Sequence, residues 1–134
     1  MLFALCDNGA LYRLDEKGTC LSQTVLQVSS DFADRLFGTT TDPAGIRWQF
    51  VGEDMLVINA FGIGNVVDCQ SWGLRTSIAD FLMYDENNGY LVCQLGNAIG
   101  AYPLYDTPAL LELAEEALGS FSLTKEQKLS YGID

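Results

Sequence analysis

The chain has 134 residues, of which 49 % are hydrophobic and 19 % are charged. This composition is typical of a globular protein rather than a disordered one. Its 18 acidic and 7 basic residues give a formal net charge of −11. Because such a surface repels phosphate groups and attracts basic proteins, we expect neither direct nucleic-acid binding nor membrane binding. The length predicts a single domain over residues 1–134.

The lack of histidine and the spacing of the cysteines restrict the chemistry that the chain can perform. There is no histidine, which removes Ser-His and Cys-His nucleophile pairs and the commonest general base. The cysteines are far apart and form no C-x-x-C pair, so buried reduced thiols are favoured over a four-cysteine zinc site. They are Cys6, Cys20, Cys69 and Cys93.

The chain shows no targeting or membrane pattern. Its first residues, MLFALCDNG, have no basic region before the apolar run, which argues against a secretory signal. The longest uncharged run, residues 87–105, contains Asn, Gln, Gly and Pro and does not resemble a membrane span. We therefore expect a cytoplasmic protein.

The first 38 residues predict a β-meander followed by a short helix. Apolar runs at 2–6 and 10–14 flank Asn8-Gly9, a strong signal for a two-residue hairpin turn, and a third strand is predicted over 19–28. Ser30 or Asp31 is expected to cap a helix that ends at Phe37, with Gly38 as a left-handed stop. Phe32, Leu36 and Phe37 would form its inner face. A polar loop, TTTDPAG, follows at 39–45.

The centre of the predicted sheet is the stretch 46–67. Ile46, Trp48 and Phe50 alternate with polar residues, which is the period of a half-buried strand. Residues 55–61 are almost continuously apolar and predict a strand that is covered on both faces. Two tight turns would join these to a third strand. Trp72, in the irregular segment that follows, is expected in the core.

The segment after Trp72 is ambiguous. Apolar residues at helical spacing favour a brief helical turn around 74–79, and strands are predicted at 80–85 and 90–95 around an Asn88-Gly89 turn. Residues 96–105 contain two glycines and a proline and are expected to form a loop.

Two helices are predicted near the end of the chain. Thr107 is expected to cap the first, Pro108 suits its first position, and Gly119 ends it. Its buried stripe would consist of Leu110, Leu111, Ala114, Ala117, Leu118 and, past the end, Phe121. Thr124 with Gln127 predicts a capping box for a short terminal helix that ends at Gly132.

Together these patterns predict an α+β fold. It would contain a mainly antiparallel sheet of about 6–8 strands, with hairpins near Asn8-Gly9 and Asn88-Gly89, covered by two or three short helices.

The second half of the chain carries charge of a single sign. Between Thr76 and Thr124 there is no lysine or arginine, and seven residues are acidic. The acidic residues could form a docking surface for a basic partner, with nearby tyrosines as anchors, or simply a solvated face. The predicted partner-binding residues are Asp80, Asp85, Glu86, Asp106, Glu112, Glu115, Glu116, Tyr102 and Tyr105.

No enzymatic or cofactor motif is convincing. FGIGN at 61–65 lacks the third glycine and the following helix of a nucleotide-binding loop, so a turn between strands is favoured. The neighbouring carboxylates Glu53-Asp54 and Asp85-Glu86 lie in predicted turns, where exposure leaves them unactivated, and no calcium-binding loop pattern appears. We expect no catalytic residue, metal or cofactor.

These observations favour a small acidic binding protein without enzymatic activity. Its most concrete form is an inhibitor or immunity protein that occludes the basic active site or nucleic-acid-binding surface of a partner such as a toxin. One alternative is a DNA mimic that inhibits a nucleic-acid enzyme, with acids spaced like phosphates along an extended face. The other is a structural or assembly subunit that self-associates.

Overall fold

Ten strands and three helices form within residues 1–38, 45–119 and 122–132, the parts of the chain that the computed structural model describes. The strands are β1 (Leu2–Leu5), β2 (Ala10–Leu14), β3 (Cys20–Val25), β4 (Ile46–Val51), β5 (Met55–Ala60), β6 (Ile63–Asp68), β7 (Leu74–Ile78), β8 (Phe81–Asp85), β9 (Tyr90–Leu95) and β10 (Ala98–Pro103). The helices are α1 (Phe32–Phe37), α2 (Thr107–Leu118) and α3 (Lys125–Ser130). The contacts group into two compact units, Met1–Leu104 and Tyr105–Asp134, and the assignment of residues 1–134 to one domain stays a prediction.

The strands form three antiparallel sheets, in each of which neighbours in sequence are neighbours in space. The first sheet has the order β1-β2-β3, the middle sheet β4-β5-β6-β7 and the third sheet β10-β9-β8. The prediction of a mainly antiparallel, sheet-rich protein with short helices is therefore confirmed. The predicted number of strands, 6–8, was too low.

Both predicted hairpins are present. The Asn8 side chain accepts a hydrogen bond from Ala10 N (3.0 Å), and Gly9 has φ +82°. Gly89 has φ +71° in the turn between β8 and β9. A residue without a Cβ adopts this left-handed conformation at low cost, so the two glycines fix the positions of the turns.

The three sheets of the Met1–Leu104 unit are stacked as layers, with the middle sheet in the centre. Leu56 and Ile58 of β5 share a core with Leu11 of the first sheet, whereas Met55 and Val57 share a second core with Phe81 of the third sheet. The almost continuous apolar sequence of β5 follows from this arrangement, since side chains on both of its faces are buried.

Trp72 lies in the core between the first and middle sheets, as predicted. It is 1 % exposed, and its indole Nε1–H donates to Leu11 O (3.0 Å). This bond links β2 to the segment between β6 and β7 and satisfies the polar end of the indole.

Two predictions in the second half were wrong. The expected helical turn at 74–79 is strand β7, which pairs with β6; Leu74 and Ile78 are four residues apart, a spacing that also suits a helix, but pairing with β6 determines the structure. The expected loop at 96–105 contains β10. Because β10 is an edge strand bonded to β9 alone, it tolerates a proline at its end, Pro103.

The first helix forms where it was predicted, but its ends differ. Asp31 precedes α1 without a side-chain capping bond, and Gly38 is extended (φ −63°) rather than left-handed. Phe32 is buried as expected and packs edge-on against Phe61, whereas Phe37 is 71 % exposed. A helix of only six residues presents too narrow a face to bury all three predicted side chains.

In the Tyr105–Asp134 unit both predicted helices form. The capping box of α3 is confirmed, with Thr124 Oγ1 accepting from Gln127 N and Gln127 Oε1 accepting from Thr124 N. The predicted burial of the α2 stripe is wrong, since its described members are all exposed: Leu110, Leu111, Ala114, Ala117 and Leu118. Phe121 and residues 39–44 of the predicted polar loop lie outside the described residues.

Candidate functional site

The nine residues predicted to bind a partner are divided between the two units. The Met1–Leu104 unit contains Asp80, Asp85, Glu86 and Tyr102, and the other unit contains Tyr105, Asp106, Glu112, Glu115 and Glu116. The structure therefore defines the geometry within each group.

Asp80 lies in the turn through which the chain passes from the middle sheet to the third. Its backbone is left-handed (φ +51°), a conformation that aspartate tolerates better than most residues with a side chain, and its carbonyl accepts from Gln94 N (2.8 Å). Its side chain is exposed. The backbone is thus fixed while the carboxylate remains available to a ligand.

Asp85 and Glu86 lie at the other end of β8. Five residues of extended chain separate Asp80 from Asp85, or roughly 16 Å, so the structure does not bring these acids together. The Asp85 carboxylate is already used: it accepts bonds from Asn88 Nδ2 (2.7 Å) and from Asn87 N (3.0 Å). The Asn88 side chain, followed by the backbone N–H groups of the turn, lowers the pKa of Asp85. Asp85 thus stabilises the turn.

The phenol group of Tyr84, next to Asp85, loses its proton less readily than that of a free tyrosine. Burial raises the pKa of Tyr84, and the negative charges of Glu86 and Asp85 raise it further. Its hydroxyl therefore stays protonated at neutral pH.

Asp106 also has a structural role. Its carboxylate accepts a hydrogen bond from Ala109 N (2.8 Å) and caps α2. The predicted cap, Thr107, is instead the first residue of the helix. The sequence offered both residue types, and the carboxylate at 106 has the additional advantage of lying at the positive end of the helix dipole.

The three glutamates of α2 remain free to meet a partner. Glu112, Glu115 and Glu116 are exposed, and within the described ranges the one ion pair joins Asp31 to Arg35 (3.0 Å). Tyr105, 37 % exposed, precedes the helix. The C-terminal unit therefore presents three anionic side chains that no described cation neutralises.

Asp80 and Tyr102 both line one cleft of about 510 Å³ between β7 and the pair β9–β10. Tyr102 is 47 % exposed. The other lining residues are Thr76, Ser77, Ile78, Ala79, Leu91, Cys93, Gln94, Leu95, Pro103 and Leu104. A carboxylate, an aromatic ring and several hydroxyl and amide groups around an apolar floor suit a cationic side chain.

The sequence did not reveal this cleft. Thr76 and Ser77 were assigned to a helical turn, and the cleft forms only because residues 74–78 are a strand that lies opposite β9 and β10. The one local signal was the pair of β-branched residues Thr76 and Ile78, which favour a strand.

The cysteines give no evidence of a metal centre. All four are free thiols: Cys69 and Cys93 are buried as expected, whereas the burial predicted for Cys20 was wrong, since it lies exposed on edge strand β3. Burial raises the pKa of Cys69, so it remains an uncharged thiol. Across the described ranges, no three Cys, Asp or Glu side chains are placed to hold a metal ion.

Comparison of the chain with models of protein families, with curated proteins and with solved structures found no match. None of the helices in the described residues is long and apolar enough to cross a membrane.

Proposed function

We propose that this chain is a small acidic binding protein that occludes a basic surface on a partner, as an inhibitor or immunity protein would neutralise a toxin with a positively charged, nucleic-acid-binding cleft. The observation that carries the proposal is the shared cleft of Asp80 and Tyr102. Within it, an arginine or lysine of the partner would pair with the carboxylate and stack on the tyrosine ring.

The remaining acids would act at longer range. A formal net charge of −11 accelerates encounter with a cationic partner, and complementary charge contributes more to association rate and specificity than to affinity. The unpaired Glu112, Glu115 and Glu116 would contribute to this steering. Asp85 and Asp106 carry charge but are already bonded within a turn and a helix cap.

Affinity capture from a lysate of the organism that encodes the protein tests the proposal. We expect a basic protein that binds at low salt and elutes at high salt, because the attraction between exposed charges reaches only about 10 Å at 0.1 M salt and a shorter distance as the salt concentration rises. Asp80→Lys should abolish its retention, and Tyr102→Ala should weaken it. Glu16→Lys, in the exposed turn between β2 and β3, reverses the same charge away from the cleft and should retain the partner.

Two outcomes would contradict the proposal. One is a partner whose retention depends neither on salt nor on Asp80. The other is an equal loss of partner retention with Asp80→Lys and Glu16→Lys, which would mean that retention depends only on the total charge of the protein. The triple change of Glu112, Glu115 and Glu116 to lysine measures the contribution of α2 to the association rate separately.

The rival proposal of self-association is favoured by one specific observation. Phe3 and Leu11 point toward the middle sheet, so alternation places Leu2 and Tyr12 on the outer face of the first sheet, and Leu2 is half exposed. On the third sheet, Ile99 is likewise exposed. An assembly subunit would show a mass that rises with concentration and depends little on salt. The alternative of a DNA mimic is less well supported, because Asp85 and Asp106 are engaged in local structure.

A further inference from the structure

A second concave site lies on the other side of β8, where the third sheet does not cover the whole middle sheet. Strand β8 packs against β5 and β6, and Phe81 lies so close to Gly64 that a methyl group on the glycine would come within 2.5 Å of the ring. Strand β4, one of the two edge strands of the middle sheet, extends beyond this contact. A groove of about 210 Å³ forms between β4 and β8.

The two faces of β4 differ in how they are covered. Trp48 faces the first sheet and packs edge-on against Phe3 of β1, with 5.3 Å between the ring centroids. Arg47 and Gln49 point the opposite way, because they pair with Asn59 and Val57, and Val57 belongs to the core with the third sheet. Both residues line the groove, where Arg47 is exposed and Gln49 is half-buried.

The wall of the groove is a sheet edge. β8 is the last strand in the order β10-β9-β8, so one of its edges bonds to β9 and none of the strands in the described ranges pairs with the other. The pairing with β9 is irregular between Phe81 and Met83 and regular from Met83 to Asp85. On that edge the N–H of Phe81 already donates to Gly62 O (2.7 Å), so the free part begins after Phe81. A free edge offers backbone N–H and C=O groups to another extended chain. A segment added there would lie over β4. The distance between the segment and β4 would be about 10 Å, the usual separation of stacked sheets.

The floor of the groove is rich in hydrogen-bond donors. Arg47 is exposed and forms no ion pair with the carboxylates of the described ranges. Asn59 lines the groove beside it, and its Oδ1 is already used by Gly62 N (2.8 Å), which leaves its amide group as a donor. Gln49 adds a further carboxamide. A guanidinium with neighbouring amides is suited to a carboxylate.

We propose that this groove binds an extended acidic segment of a partner protein, which adds to β8 as a fourth strand of the third sheet and places an Asp or Glu side chain on Arg47. The backbone of the segment would supply affinity through the free edge, and Arg47 would select a carboxylate at one position. The third sheet would then have four strands, as the middle sheet does. The site is separate from the cleft of Asp80 and Tyr102, so either proposal can fail without the other.

Selection from a display library of random linear peptides on the intact protein tests the charge preference. We expect the selected peptides to be enriched in Asp or Glu at one position relative to the unselected library. Arg47→Glu should weaken the best peptide roughly tenfold or more, the usual loss when a hydrogen bond to a charged group is removed. Lys17→Glu, which makes the same charge change in the exposed turn between β2 and β3, should not.

Backbone exchange tests the mode of binding with the same peptide. Bound peptide should slow amide hydrogen exchange on β8, at Met83 or Tyr84. A version N-methylated on alternate residues, which cannot complete the ladder, should bind poorly. Any one of three results would overturn the proposal. They are selected peptides without an enrichment of acidic residues, an equal loss of peptide affinity with Arg47→Glu and Lys17→Glu, and undiminished binding of the methylated peptide.

Discussion

At the scale of single residues, Asn65 shows how the layers are held in register. Among the described residues it is the only polar or charged side chain that is buried, at 0 % exposure. Its Oδ1 accepts from Gln27 N (2.8 Å), and its Nδ2 donates to Gln27 O (3.0 Å) and to Ile63 O (3.2 Å). One side chain therefore satisfies the backbone beyond β3 and attaches it to β6. No sequence pattern marked this residue, because GIGN also describes an ordinary turn.

Asn65→Ala should lower the free energy of unfolding by about 2 kcal/mol or more, because it removes all three hydrogen bonds of a fully buried side chain and leaves the partly buried N–H and C=O groups of Gln27 without those partners. Urea denaturation followed by tryptophan fluorescence measures this loss. Asn87→Ala provides the matched control, since Asn87 is exposed in the turn after β8 and bonds through its backbone N–H; it should change the free energy by no more than about 0.5 kcal/mol. Equal losses for the two variants would contradict the role assigned to Asn65.

At the scale of elements, the contact between β6 and β8 sets the position of the third sheet. Gly64 is buried, and Phe81 fills the space that any larger residue would need. With β8 placed over β5 and β6, the third sheet leaves part of β4 uncovered, and the groove over Arg47 forms there. The following strands, β9 and β10, form one wall of the cleft that Asp80 lines. Both proposed sites thus lie on either side of the contact between Gly64 and Phe81.

Gly64→Ala should destabilise the protein by about 1–3 kcal/mol through overpacking against Phe81. Adding Phe81→Leu should restore part of this loss, because the smaller side chain makes room for the methyl group. Urea denaturation of the two single variants and the double variant gives the coupling energy. If the two losses simply add, Phe81 is not the obstacle.

The elements differ in how well the sequence predicted them. Strand β5 was predictable because burial on both faces requires a continuous apolar run. The Asn8-Gly9 and Asn88-Gly89 turns were predictable because few residue types adopt a left-handed backbone conformation. β7 and β10 were not, since Arg75, Gly100 and Pro103 are weak strand formers that are ordered by pairing with a neighbour. The cleft depends on β7 and β10, so its residues could not be assembled from local patterns.

At the scale of the whole molecule, charge and surface chemistry are distributed unevenly. The excess of acids is a property of the sequence itself, but the sequence could not distinguish an acid that caps a helix, such as Asp106, from one that is exposed, such as Asp80. The two proposed sites have opposite preferences: one is a cleft for a cation, and the other is a groove for a carboxylate. A protein that occludes a basic surface and also binds an acidic segment would link two partners of different charge.

The most direct test of the central claim is a nuclear magnetic resonance titration of the cleft with N-acetyl-arginine amide. The matched N-acetyl-citrulline amide has nearly the same shape without the charge. We predict that the arginine compound, at millimolar concentration, shifts the backbone amide signals of Thr76, Gln94 and Tyr102, that salt or Asp80→Asn reduces the shifts, and that citrulline causes much smaller ones. Equal shifts from the two compounds, or shifts that Asp80→Asn leaves unchanged, would contradict the assignment of this cleft to a basic side chain.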